Sequence, residues 1–164
     1  MVQIANGSDR QVWASHIGRI IFSLNEIDWL FELIYTKVLK EELASSWHKK
    51  TFSEHIDIIR EKIERKPGSP AMDELKKLVA RTLPLNETRN HVAHGTLALV
   101  GAPDDAPRGA SFEMLRYHKK SDEMRTVTFE FLVEQTACVI QLSDDYSQFL
   151  AMCELHAGFI APYD

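Results

Sequence analysis

The chain is poor in the residues that would tie it to an oxidising compartment, a membrane or a repetitive architecture. Only two cysteines occur in 164 residues, Cys138 and Cys153. On one helical pattern they stand ~22 Å apart along the axis, beyond disulfide reach within the chain. They read as core thiols of a reduced, intracellular protein. No long hydrophobic run is present. The richest tract, Ile20 to Tyr35, is interrupted by Asn25, Glu26, Asp28 and Glu32, so no membrane span is expected. Met1 to Arg10 lacks a basic stretch followed by an apolar one, so secretion is not expected and a cytoplasmic setting is. No internal repeat, low-complexity run or linker is visible, and one domain over residues 1–164 is the expectation.

Positive charge is scarce overall and absent from one end. The net charge of −5 argues against nonspecific coating of nucleic acid. Glu130 to Asp164 holds six acids and no Lys or Arg, while Lys49 to Arg125 holds fifteen Lys and Arg against twelve Asp and Glu. A polyanion would therefore meet the middle of the chain. The plainer reading is that clusters such as Arg60-Glu61-Lys62-Ile63-Glu64-Arg65-Lys66 are solvated helix faces with acids and bases at pairing distance.

Apolar periodicity predicts helices. Trp13, Ile17, Ile20, Ile21, Leu24, Ile27, Phe31, Ile34 and Val38 recur at three- and four-residue steps after Ser8-Asp9. The pattern lapses near Ser45-Ser46. Thr51 with Glu54 forms a capping box for a second helix carrying Phe52, Ile56, Ile59 and Ile63, which Pro67-Gly68 ends. Ser69 and Pro70 read as the N-cap and first residue of a third helix. Pro84 is expected to break or kink it, leaving Leu85 to His94 as a short helix or helix end. Gly101 to Gly109 reads as a loop, and Ser111 to His118 with Met124 to Phe129 as a short hairpin around the turn Lys119 to Glu123. Thr128 reads as the N-cap of a last helix with the stripe Leu132, Val139, Leu142, Tyr146, Phe149, Leu150 and Cys153.

The stretch Arg89-Asn90-His91-Val92-Ala93-His94-Gly95 carries the most chemistry. Arginine binds phosphate in a planar fork, and imidazole moves protons near neutral pH. On an ideal helix Asn90 and His94 share a face, whereas Arg89 and His94 diverge by roughly 140°. Two readings stay open from the residues alone. Either these side chains form a site, or His94 caps the helix end that Gly95 stops while Arg89 pairs with a neighbouring helix. His91 and His94 lie three apart, but no third ligand stands at zinc-motif spacing, so no metal or other cofactor is assigned. Asp28 and Glu32 form an acidic i,i+4 pair, read as a partner for Arg89 or a solvated edge. Trp13, Trp29 and Trp47 do not alternate with basic residues and read as core or interface. His16, His48, His55, His118 and His156 carry no signal.

Arg89-Asn90 followed by His94 resembles the Arg-x4-6-His signature of the HEPN superfamily, and the helical order resembles its arrangement over roughly Val12 to Leu155. The resemblance implies an all-α bundle of four to five helices, with room for a short β-hairpin between the motif helix and the last helix. It also implies a homodimer that brings two motif copies to a shared cleft. The activity implied is a metal-independent endoribonuclease acting through Arg89, Asn90 and His94, in a toxin or defence setting with an antitoxin or other protein partner. The alternative is a catalytically silent HEPN dimer serving as a protein-interaction or RNA-binding module. No adjoining nucleotidyltransferase or second effector domain is seen, and the overall charge is acidic.

Overall fold

The computed structural model describes residues 2–4, 7–94, 96–100, 111–118 and 123–159, with side chains at 10–94 and 126–155. Gly95, the loop at 101–109, the 119–122 turn and the side chains of His118 and His156 lie outside the described residues. Helix dominates, as expected. The four α-helices are α1 (Gly7–Leu33), α2 (Phe52–Arg65), α3 (Pro70–His94) and α4 (Phe129–Phe159), with 27, 14, 25 and 31 residues. A π-helical turn (Ile34–Val38) and a 3-10 turn (Trp47–Lys49) lie between α1 and α2. Lys40 closes the first of these turns in the left-handed region, φ 56°. Among the described residues no helix is long and apolar enough to cross a membrane.

Local chemistry sets the helix starts. The Thr51 hydroxyl accepts from the Glu54 N–H at 3.3 Å, and the Glu54 carboxylate accepts from the Thr51 N–H at 2.6 Å, so both halves of the capping box form. Ser69 Oγ accepts from the Met72 N–H at 3.2 Å, and Thr128 Oγ1 from the Phe131 N–H at 3.2 Å. Each satisfies an N–H that the first helical turn leaves without a backbone acceptor.

The expected break at Pro84 is absent: α3 runs on from Pro70 to His94 with Pro84 inside it. The ring removes one hydrogen bond, the one to the Ala80 carbonyl, on a turn where Ala80 is exposed. On the buried face Thr82 Oγ1 donates to the Leu78 carbonyl at 2.9 Å, and Leu85 and Asn86 anchor the far side.

The expected hairpin is present as β3 (Ser111–His118) and β4 (Glu123–Thr128), from His118 opposite Glu123 to Glu113 opposite Thr128. It belongs to a wider sheet. Two further strands, β1 (Val2–Ile4) and β2 (Thr96–Val100), complete an antiparallel sheet in the order β1-β2-β3-β4. Val2 pairs with Val100, and Val100 with Ser111. Strands of three and five residues take their order from partners, and they are too short for alternation to mark them in the sequence.

Two compact units are distinguished, Met1–Phe22 with Glu87–Cys138, and Ser23–Asn86 with Val139–Asp164. The first holds the sheet and segments of α1, α3 and α4. Its core includes Trp13, whose ring centroid lies 5.5 Å from Phe129, together with Val92, Val127 and Leu132. His16 meets Phe129 edge-on at 5.4 Å. Its Nδ1 lies 3.1 Å from Thr136 Oγ1, whose proton goes to the Leu132 carbonyl at 2.8 Å, so His16 donates.

The second unit is a helical bundle. Phe31 of α1 stacks on Phe52 of α2 at 5.7 Å and meets the edge of Tyr146 of α4 at 5.5 Å. Thr82 Oγ1 spends its proton on Leu78, so the Tyr146 hydroxyl donates to Thr82 at 2.9 Å. Burial raises the Tyr146 phenol far above its ordinary value, which keeps it a neutral donor. Emptying such a position, as in Phe31→Ala, costs about 3–5 kcal/mol.

Candidate functional site

The last two turns of α3 carry the Arg89 motif, and helix continues through His94. Their spacing therefore acts as it does on a regular helix. Asn90 and His94 stand one turn apart on a shared face, while Arg89 is rotated from His94 by roughly 140°. The helix places Asn90 and His94 on one face and Arg89 off it. His94 is exposed, Arg89 and Asn90 are half-buried, and His91 and Val92 between them are buried. The buried pair fixes the rotation of this helix end in its core, and that rotation presents His94 to solvent. Thr88 adds a tie, its hydroxyl donating to Gln135 Oε1 of α4 at 3.2 Å.

Electrostatically the site is a guanidinium and an imidazole with little opposing charge. Among the described residues no ion pair joins Arg89 or His94 to an acid. A half-buried guanidinium without a carboxylate keeps its fork for an anion of suitable geometry. An exposed imidazole exchanges protons with whatever binds beside it. Among the described residues no group of three or more His, Cys, Asp or Glu side chains gathers as a metal site.

Asp28 is not the partner of Arg89. Its carboxylate accepts from Nδ1 of His55 at 2.6 Å, a short charge-assisted bond. The same imidazole donates from Nε2 to the Trp47 carbonyl at 3.1 Å and stacks on the Trp47 ring at 4.2 Å and 15°. Glu32, one turn on from Asp28, lies 3.7 Å from exposed His48. A carboxylate on a histidine resembles half of a catalytic relay, but His55 is 4% exposed and its outer nitrogen is occupied by backbone. It ties α1 to the Trp47 turn and moves no proton to a substrate. Sequence reading missed it because a histidine on an apolar face acquires its meaning from a carboxylate 27 residues away.

Further expectations are corrected or extended. Cys138 is exposed and Cys153 half-buried, so neither is a core thiol. Their separation on α4 is as the spacing implied. Trp13 and Trp47 are core residues, whereas Trp29 is exposed. An apolar cavity of about 490 Å³ lies between the start of α3 and α4, with Pro70, Ala71, Phe149, Met152 and Cys153 in its wall. A second, of about 390 Å³, lies between α2 and α3 with Arg60, Ile63, Lys76, Val79 and Leu83. Neither is lined by a residue of the Arg89 motif. No family model, curated protein or solved structure matches this chain.

Proposed function

We propose that this chain is a metal-independent endoribonuclease of HEPN type, with Arg89, Asn90 and His94 as its active residues. The observation that carries the proposal is the end of α3, where an exposed imidazole shares a helix with a half-buried guanidinium that no acid among the described residues neutralises. The reaction is a transesterification. The ribose 2′-OH attacks the adjacent 3′-phosphate, the bond to the 5′-oxygen breaks, and a 2′,3′-cyclic phosphate and a 5′-OH result. His94 takes or gives the proton, the general acid–base role that imidazole most often fills. Arg89 holds the phosphate and offsets the charge that grows in the transition state. Asn90, on the face of His94, orients the imidazole or the phosphate. One histidine serves as either base or acid, so a homodimer contributing two supplies both. The setting proposed is cytoplasmic, in a toxin or defence system with a cognate antitoxin or other protein partner.

The test is incubation of mixed RNA with the purified protein in EDTA, followed by end-group analysis. Products ending in 2′,3′-cyclic phosphate support the proposal, and products bearing 5′-phosphate contradict it. A silent interaction or RNA-binding module is the second reading, favoured by the large apolar side chains that α1 and α4 expose, among them Phe22, Trp29, Met152 and Leu155. Folded protein inactive on varied RNAs selects it.

A further inference from the structure

The link at 66–69 joins the end of α2 to the start of α3, and at the other end of the pair Asn86 Nδ2 donates to Ser53 Oγ at 2.7 Å. The two helices are therefore antiparallel. With Ser53 beside Asn86, Arg60 falls near the level of Val79, and Ile63 near that of Lys76. Between the helices lies the cavity of about 390 Å³. Ala80 opens it, because a side chain that ends at Cβ leaves space that a larger one fills. Ile63 and Val79, 1% and 2% exposed, form its floor, and Leu83 adds an apolar wall. Arg60 and Glu64 stand one turn apart on the α2 side, and Lys76 stands on the α3 side.

These three charges are lightly held. Arg60 pairs with Asp57 at 3.1 Å and Lys76 with Asp73 at 3.8 Å, each within its own helix and with both partners half or more exposed. Exposed pairs of this kind contribute little, so a better-placed carboxylate displaces them. Glu64 has no ion pair among the described residues, although Lys76 lies across the groove. Two cations, one carboxylate and an apolar floor are complementary to a molecule that carries one negative group, one positive group beside it and an apolar body. A carboxylate set between Arg60 and Lys76 engages both cations at once, the guanidinium through two parallel N–H donors. An ammonium next to that carboxylate faces Glu64, and the apolar body lies over Ile63 and Val79 toward Leu83, out of water. The volume stands at the small end of the ~300–1,000 Å³ usual for ligand sites, which suits a molecule of amino-acid size. A peptide terminus brings only one of the two charges.

We propose that the groove between α2 and α3 binds a free α-amino acid with an apolar side chain of leucine or phenylalanine size, Arg60 and Lys76 holding its carboxylate and Glu64 its ammonium. The groove shares no residue with the Arg89 motif, and the proposal stands whether or not RNA is cleaved.

The test is a titration of the full chain followed by ligand-observed NMR. Leucine is compared with isocaproate, which lacks the ammonium, and with isoamylamine, which lacks the carboxylate. Leucine is expected to bind saturably with a Kd of about 1 mM or below. Each analogue is expected to bind roughly tenfold more weakly or worse, since each gives up hydrogen bonds to a charged group. Substitutions at exposed positions then assign the charges, with circular dichroism confirming the fold. Glu64→Gln is expected to abolish the preference for leucine over isocaproate and to keep the preference over isoamylamine. Arg60→Ala combined with Lys76→Ala is expected to do the reverse. Absence of saturable leucine binding overturns the proposal. So does either analogue binding as tightly as leucine, or a pair of preferences that both sets of substitutions leave intact.

Discussion

Asp28 and His55 meet at 2.6 Å with the imidazole buried and the carboxylate only partly exposed. Replacing Asp28 by Asn keeps the shape but removes the carboxylate charge from its hydrogen bond with His55. Hydrogen bonds to charged groups contribute about 1.5–3 kcal/mol, and that is the loss of unfolding free energy expected of Asp28→Asn in urea titration at neutral pH. RNA cleavage by the folded variant is expected to be unchanged, because this pair serves the scaffold. The two thiols differ at the same scale. Burial raises the Cys153 thiol above its ordinary value, while Cys138 lies open on the surface of α4. Only thiolate reacts with alkylating reagents, so mass spectrometry after brief iodoacetamide treatment should find the label on Cys138 before Cys153.

At the scale of elements, α2 depends on its first turn. Losing a Ser or Thr N-cap costs about 0.5–2 kcal/mol, and Thr51→Ala is expected to fall in that range. The cap is also sensitive to acid. Hydrogen bonds from the Thr51 backbone and side chain hold the Glu54 carboxyl below its ordinary value, and Lys62 followed by Lys66 does the same for Glu41. Gln141 and then Arg81 lower Asp145. A carboxyl that binds its proton more weakly when folded gives stability that is complete above the ordinary carboxylate range and is lost as the pH falls through the folded values. Stability should therefore decline on acidification from about pH 5, within the range where such groups titrate. Thr51→Ala should flatten that decline only in part, because it deletes the hydroxyl contact with Glu54 and keeps the backbone N–H that lowers the carboxyl most. The same locality explains what could be read from residues alone. Thr51 with Glu54, Ser69 with Pro70, and Thr128 mark helix starts through partners three residues away, and all three caps are in place. Strands β1 and β2 could not be read, since Val2 pairs with Val100 and neither segment has a signal without its partner. The continuity of α3 through Pro84 was hidden for a related reason: buried flanking residues outweigh one lost hydrogen bond.

For the whole molecule, charge sets the terms on which the proposed RNA substrate would be met. A net charge of −5 repels a polyanion at long range, so the proposed association would rest on local cations such as Arg89. Contacts between cations and phosphates weaken as salt rises, and cleavage at low RNA concentration is expected to fall accordingly. The candidate site was only half legible. The position of the Arg89 motif at a helix end could be read from the sequence. The burial of His91 and Val92, which turns His94 outward, and the engagement of Asp28 by His55, which leaves Arg89 without that partner, depend on distant packing. The central claim is that His94 transfers a proton in RNA cleavage. The most direct measurement compares wild type, His94→Ala and Arg89→Lys on RNA in EDTA, after circular dichroism has shown all three to be folded. The account predicts cleavage by wild type, its loss in His94→Ala, and impairment in Arg89→Lys, whose point charge cannot reproduce the bidentate fork. Cleavage that persists unchanged in His94→Ala would contradict it.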